Sequence, residues 1–336
     1  MPDETGSQAP QTPLVSMLLI AYKQEHVIAD AVRAALAQDY PRLEILISDD
    51  NSPDRTFDVI CQLLEGYSGP HRVRVNRNER NEGISAHLSK LVEMSEGELL
   101  VIAAGDDISL PERCSRVVAA WLAHDRKPDL IATDLIEIDA NGVALAQISP
   151  TNLNTYRNFD DWYAQRPHLI GAAHAWSRRL FERFGGMMPG ASAEDQIMAF
   201  RAIVSGGALS LREPLVKYRH GGLSRKRVWR TVDEFIARMR QSNRFSLAEV
   251  AQLQHDAEIA GLGEKMRNAL APKLAREEYT RDLFAAQTLP ARLRLAKNAG
   301  AVKPGFRIRM LLYAACPCVY TPFFSLKRWW AEHRTT

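Results

Sequence analysis

The chain has 336 residues, 46% apolar and 25% charged, with a formal net charge of +3. This is an ordinary globular mix, long enough for one large or two ordinary domains with a sizeable core. The balance selects no charged partner, and no nucleic acid is expected, since basic residues cluster towards the tail without a recognition motif. The four cysteines (Cys61, Cys114, Cys316, Cys318) form no C-x-x-C pair, zinc pattern or disulfide framework, which suits a reducing cytoplasm. Met1–Thr12 is polar and lacks an apolar core, so no signal peptide is expected and 1–13 is predicted as a flexible tail.

In chain order, Leu14–Ile20 is a near-continuous apolar run and the first predicted strand. Glu25–Gln38 carries apolar residues at helical spacing (Val27, Ile28, Ala31, Val32, Ala35, Leu36), and Pro41 ends it. Leu43–Ile47 is a second strand, Thr56–Tyr67 a helix, Val73–Asn76 a short strand and Ile84–Ser95 a helix. Leu99–Ala104 is the right length for a buried parallel strand, and Pro111 suits the first turn of a helix over Glu112–Ala123. This alternation predicts an α/β, doubly wound, mostly parallel sheet.

Two of the strands run into paired acids, Asp49-Asp50 and Asp106-Asp107. Right-handed crossovers put both pairs on one sheet edge, where such sheets bind ligands. Adjacent carboxylates repel unless a cation is near, so a divalent metal carrying a phosphorylated ligand is one reading. Turn residues and helix caps are the other. There is no G-x-G-x-x-G after the first strand and no G-x-x-x-x-G-K-[ST], which disfavours a dinucleotide site or a P-loop.

Val15–Ala21 with Tyr22, Gln38-Asp39-Tyr40-Pro41, Glu44–Thr56, Asn81-Glu82-Gly83 and Gly105-Asp106-Asp107 with Leu110–Arg113 occur in an order that resembles a family 2 glycosyltransferase of GT-A fold. The likeness covers roughly Leu14–Ser224. It implies an inverting transfer from a nucleoside-diphosphate sugar to a glycan or lipid-linked acceptor, in bacterial surface polysaccharide synthesis. By the resemblance, Ala21, Tyr22, Glu25, Asp49, Asp50 and Gly83 serve the nucleotide, while Asp106 and Asp107 hold Mn2+ or Mg2+ and the diphosphate. Ala104 stands where the first Asp of the family's D-x-D usually lies, which bears on the ligand count at the metal. A non-catalytic nucleotide-sugar binder and a nucleotidyltransferase are the alternatives; the second would need a Gly-rich, basic loop that Ala21-Tyr22-Lys23-Gln24 is not.

Further along, Leu130–Ile138 is a strand, Asp139–Gly142 a turn and Val143–Ile148 its hairpin partner. Asn158–Gln165 and Ser177–Phe184 are predicted helices, the latter capped by Ser177. Glu194 and Asp195 suit the first turn of a helix, and by resemblance are the acceptor-side pair: Asp195 the general base, Glu194 orienting or binding acceptor. His174 and Trp176 either line the acceptor pocket or simply pack. Leu209–Arg219 is a late strand leading into His220-Gly221-Gly222. His220 is a metal-ligand or phosphate candidate, and Arg219 with Arg225–Arg227 supplies charge for a diphosphate.

The predicted domains are 14–228 for the catalytic fold and 229–336 for a helical C-terminal extension. In that extension Val232–Met239 and Leu247–Leu270 read as helices and Pro272, Pro290 and Pro304 as punctuation. Met310–Leu326 followed by Lys327-Arg328-Trp329-Trp330 is too short and proline-broken to span a bilayer. Its aromatic and basic content instead suits peripheral contact with the anionic inner membrane leaflet, or packing on the catalytic domain.

Overall fold

The computed structural model describes residues 12–219 and 231–317. Two compact units emerge: Met1–Met187 with Ala193–Gly222, and Met188–Ser192 with Leu223–Thr336.

The first unit is built on a mixed sheet. Strands β1 (Val15–Ala21), β2 (Leu43–Asp49), β3 (Arg72–Arg77) and β4 (Leu99–Ala104) alternate with helices α1 (Ile28–Leu36), α2 (Thr56–Leu64) and α3 (Ile84–Met94). These four strands are parallel. Their unbroken apolar runs follow from burial on both faces, since almost every residue of β1, β2 and β4 is buried. Odd-numbered β1 residues Val15, Met17 and Leu19 pack with Ile28, Val32, Ile45 and Trp121 in the main core.

Then come β5 (Ile108–Ser109), α4 (Arg113–Ala123), β6 (Leu130–Ile138), β7 (Ala144–Ile148), α5 (Phe159–Ala164), β8 (His174–Ser177), α6 (Arg178–Phe184), α7 (Glu194–Ile203) and β9 (Ala208–Arg219). The sheet order is β3-β2-β1-β4-β8-β6-β9-β5, with β7 on β6. The predicted α/β fold with a mostly parallel sheet is present, with three antiparallel additions: β8 between β4 and β6, β5 on β9, and the β6–β7 hairpin. Strands β5 and β8, of two and four residues, are too short for an alternating pattern to stand out in the sequence. Ser177 does stand before α6, but its hydroxyl donates to Asp129 (2.6 Å) instead of capping the helix.

The second unit contains α8 (Val232–Ile259), α9 (Gly263–Ala285), α10 (Leu289–Asn298) and α11 (Pro304–Ala315). One long helix, α8, takes in Val232–Met239 and the first half of the predicted Leu247–Leu270, which is broken at Gly261, where φ is +73°. Pro272 lies inside α9, whereas Pro290 and Pro304 occupy the first turns of α10 and α11. Tyr279, Leu283, Phe284, Val302, Met310 and Ala314 form the core of this unit. Among the described residues no helix is long and apolar enough to cross a membrane.

Candidate active site

The register of the parallel strands sets the site edge: Ala21 stands opposite Asp49, and Ile20 opposite Ala104. Strand ends therefore deliver both acid pairs to the same side of the sheet. The loop after β1 is locked to the loop after β2. Lys23 and Asn51 both adopt positive φ, near 58° and 57°. The Lys23 and Gln24 amides donate to the Ser52 and Thr56 hydroxyls at 2.9 and 2.8 Å, and the Arg55 amide donates to Glu25 at 3.0 Å. Tyr22 lies beneath the Lys23 ammonium, 5.1 Å from ring centre.

Asp49 and Asp50 are buried and engaged within the protein. Asp49 accepts from the Ser52 amide (2.9 Å) and hydroxyl, and pairs with Arg77 at 3.4 Å. Asp50 accepts from the Asn78 side chain and from the amides of Glu82 and Gly83, at 2.8 to 2.9 Å. The Asn81-Glu82-Gly83 turn is thus hung on Asp50, and Gly83 holds φ near +80°. Replacing Asp50 with alanine leaves these buried donors unpaired; a loss of about 3 kcal/mol in denaturant unfolding is expected, with the asparagine variant retaining most stability.

Gly105 follows β4 at a point where a Cβ would fall 2.4 Å from Gln24 Oε1 and 2.8 Å from Ile28 Cδ1. Glycine there lets the β4 end close against the β1 loop and brings Asp106 and Asp107 beside it. Burial is the main force raising the Asp107 carboxyl, to about 7, with Asp106 adding repulsion. Asp106 is also raised, chiefly by burial. The Arg219 amide donates to Asp107 at 2.8 Å. The Arg219 guanidinium is buried: it donates to the carbonyls of Asp106 (3.0 Å) and Ala140 (2.8 Å) and pairs with Asp30 at 3.2 Å. Its engagement with those groups replaces the expected open contact with a diphosphate. Arg219 ties the β4 end to the β6–β7 turn and α1.

Arg113, in the first turn of α4, is fully buried beside Asp107. It donates to Ser109 Oγ (2.9 Å) and to the carbonyl of Ala172 (2.7 Å). Arg113 is not among the site residues expected from the sequence; the signal for it is a cation in a helix's first turn, where it opposes the dipole. The short 3-10 turn Gly171–Ala173 that Arg113 reaches also meets Glu194 and Asp195. A Cβ on Gly171 would lie 2.5 Å from Glu194 Oε1 and 3.7 Å from Asp195 Cβ. Burial, then the charge of Asp195, raises Glu194 to about 8, so it holds a proton at neutral pH. Asp195 accepts from the Gln196 amide at 2.7 Å.

His174 and Trp176 follow immediately, in β8. Both are 0% exposed, so packing replaces the expected pocket lining. Their rings meet edge-on, 6.5 Å between centres. Burial lowers the His174 imidazole to about 3, keeping it neutral. His220 and Arg225–Arg227 lie outside the described residues. Among the described residues no group of three or more His, Cys, Asp or Glu is placed to hold a metal ion. Asp107, buried, and Asp106, half-buried, remain as a pair of hard oxygen donors of the kind Mg2+ and Mn2+ take, and a cation would offset the burial and the mutual repulsion that raise Asp107.

The mixed sheet thus carries one acid pair at the end of β4, and a second opens α7. The glycosyl transferase family 2 model matches residues 16–185, half of the chain, and the chain belongs to that family. EpsE of Bacillus subtilis (strain 168) is 30% identical over 139 residues, 41% of this chain and 49% of that protein. The succinoglycan biosynthesis protein ExoO of Rhizobium meliloti (strain 1021) is 24% identical over 272 residues, 77% of this chain and 73% of that protein. The match spans about half the length of EpsE, and 47% of YdaM from the same B. subtilis strain. Among solved structures, S. aureus TarS 1-349 in complex with UDP-GlcNAc superposes with a TM-score of 0.52 at 18% identity, over 90% of this chain and 87% of that one. The mannosyltransferase PcManGT from Pyrobaculum calidifontis, in complex with GDP-Man and Mn2+, gives 0.50 at 19% identity over 92% and 86%. These two likenesses show the GT-A fold.

Proposed function

We propose that this chain is a metal-dependent, inverting glycosyltransferase that moves a sugar from a nucleoside-diphosphate sugar to a glycan or lipid-linked acceptor in bacterial surface polysaccharide synthesis. The observation that carries the reading is the linkage of two acidic pairs through Arg113. The cation stands beside Asp107 and bonds Ala172, in the turn that packs on Glu194 and Asp195.

In this reading the β1 and β2 loops, with Ala21, Tyr22 and Glu25, receive the nucleotide. Asp49 and Asp50 hold those loops in shape, and the Gly83 turn closes beside them. Asp106 and Asp107 would hold Mn2+ or Mg2+, with His220 as the third ligand. When bound, the ion supplies Lewis-acid compensation for the charge of the departing diphosphate. Asp195 takes the proton of the acceptor hydroxyl as its oxygen bonds the anomeric carbon from the face opposite the breaking bond. Glu194, protonated, orients the acceptor without competing for that proton. Names of relatives support the setting: ExoO for succinoglycan, and WfgD of Escherichia coli for a diphosphoundecaprenol acceptor.

A thermal-shift screen of nucleoside diphosphates tests the donor class. One nucleotide should raise the midpoint by several degrees with Mn2+ and by little without it, as expected when ligand binds only the folded state. No shift with any nucleotide, with or without metal, would refute the reading. A shift without transfer or donor hydrolysis would leave a nucleotide-sugar binder.

A further inference from the structure

Helices α10 and α11 carry apolar side chains that nothing in their own unit buries. No residue of α10 is buried. Leu289 and Leu293 are 54% and 51% exposed, and Ile308 and Leu312 of α11 are 60% and 44% exposed. Each pair is spaced i, i+4 and so lies on one face of its helix. The helices form a hairpin: the Arg307 guanidinium donates to the Ala296 carbonyl at 3.1 Å. Leu293 and Ile308 stand at similar separations from its connecting turn, as do Leu289 and Leu312.

The charge along this stretch of chain is of one sign. From Leu283 to Pro317 there are six cations, Arg292, Arg294, Lys297, Lys303, Arg307 and Arg309, and no acid. Arg294, Lys297, Lys303 and Arg309 are exposed. Among the described residues none of these four is in an ion pair, and Arg309 instead covers the Phe306 ring at 5.4 Å. Leu289 and Leu293 need an apolar phase, and the four cations need an anionic boundary next to it. A soluble phosphate would satisfy only the second.

We infer that the α10–α11 hairpin is a peripheral docking surface for an anionic phospholipid bilayer, lying in the headgroup plane with Leu289, Leu293, Ile308 and Leu312 turned to the acyl boundary. Docking of this kind needs no spanning helix, and it places the membrane contact on folded helices ahead of the terminal aromatic segment.

Sedimentation of the full chain with vesicles tests this. Binding to phosphatidylcholine vesicles containing phosphatidylglycerol is expected, and weak binding to phosphatidylcholine alone. Leu293→Glu with Ile308→Glu should lower affinity for the anionic vesicles at least about tenfold. Arg294→Gln, Lys297→Gln, Lys303→Gln and Arg309→Gln together should lower it by roughly fivefold per charge removed, while Arg294→Lys with Arg309→Lys should retain it. All these positions are exposed, so unchanged circular dichroism and melting should accompany each loss. Equal binding to neutral and anionic vesicles, or variants that bind as the parent does, would overturn the assignment. So would a wild-type dimer, seen by analytical ultracentrifugation, that Leu293→Glu dissociates while vesicle binding is absent: the face would then belong to a second copy.

Discussion

Asp195→Asn is expected to lower transfer by about a thousandfold, within the range general-base removal produces, while donor affinity changes less than about twofold. The reason lies in the division of labour at the start of α7. Burial and the neighbouring Asp195 raise Glu194 to about 8, which favours its protonated form at neutral pH. In the proposed function Asp195 is then the group that accepts the proton of the acceptor hydroxyl. Asparagine keeps the size and the bond from the Gln196 amide but has no basic oxygen. Glu194→Gln, which imitates the protonated acid, should retain transfer within about tenfold and should also stabilise the fold at high pH. The sign follows from the raised value: the charged form is penalised only in the folded state. That cost is absent below the usual glutamate value of 4.5 and complete above about 8, so stability falls as pH rises between them. Steady-state kinetics and isothermal calorimetry with the donor separate the two variants. Unchanged turnover in Asp195→Asn would remove the base assignment.

Asp107→Asn should do two opposite things. Turnover and the Mn2+-dependent thermal shift should both be lost, turnover by about 10²- to 10³-fold, the range seen when a preorganised charge-stabilising group is removed. Stability without metal should rise. Asp107 is an acid whose folded value is pushed to about 7, so it weakens the fold increasingly as pH climbs from about 4 to 7 and fully above that. Removing the charge at pH 8 should add on the order of 2 kcal/mol, about 5 °C in melting midpoint. Asparagine still offers an oxygen to the Arg219 amide. His174 titrates with the other sign: its lowered value costs stability as pH falls from about 6.5 to 3, and this acid limb should be the same in both proteins. A destabilised Asp107→Asn variant, or one that keeps the Mn2+ shift, would contradict the placement of the cation. A residue that weakens the fold and is needed for activity is the signature of a site.

Much of the sheet edge was legible beforehand. The apolar runs of β1, β2 and β4 end where the acids begin, and parallel strands joined by helices bring their ends to one edge. The second acid pair was legible as a helix start. The roles of individual polar groups were less so. Asp49, Asp50 and Arg219 look like ligand contacts in a linear reading, yet their bonds run to Ser52, to the Gly83 turn and to the Ala140 carbonyl. His174 and Trp176 look like pocket residues because glycine and alanines precede them. In the fold they lie in a four-residue strand inserted between β4 and β6.

The sequence by itself determined the family, the α/β alternation and the positions of both acid pairs, because hydrophobic period and chain direction are local properties. Only the tertiary structure decided which charged groups remain available for chemistry. That depends on contacts between residues far apart in the chain, such as Arg113 with Ala172, Gly171 with Glu194 and Arg219 with Asp30. No spacing rule anticipates such contacts, because each is set by how strands of different length and direction are stacked.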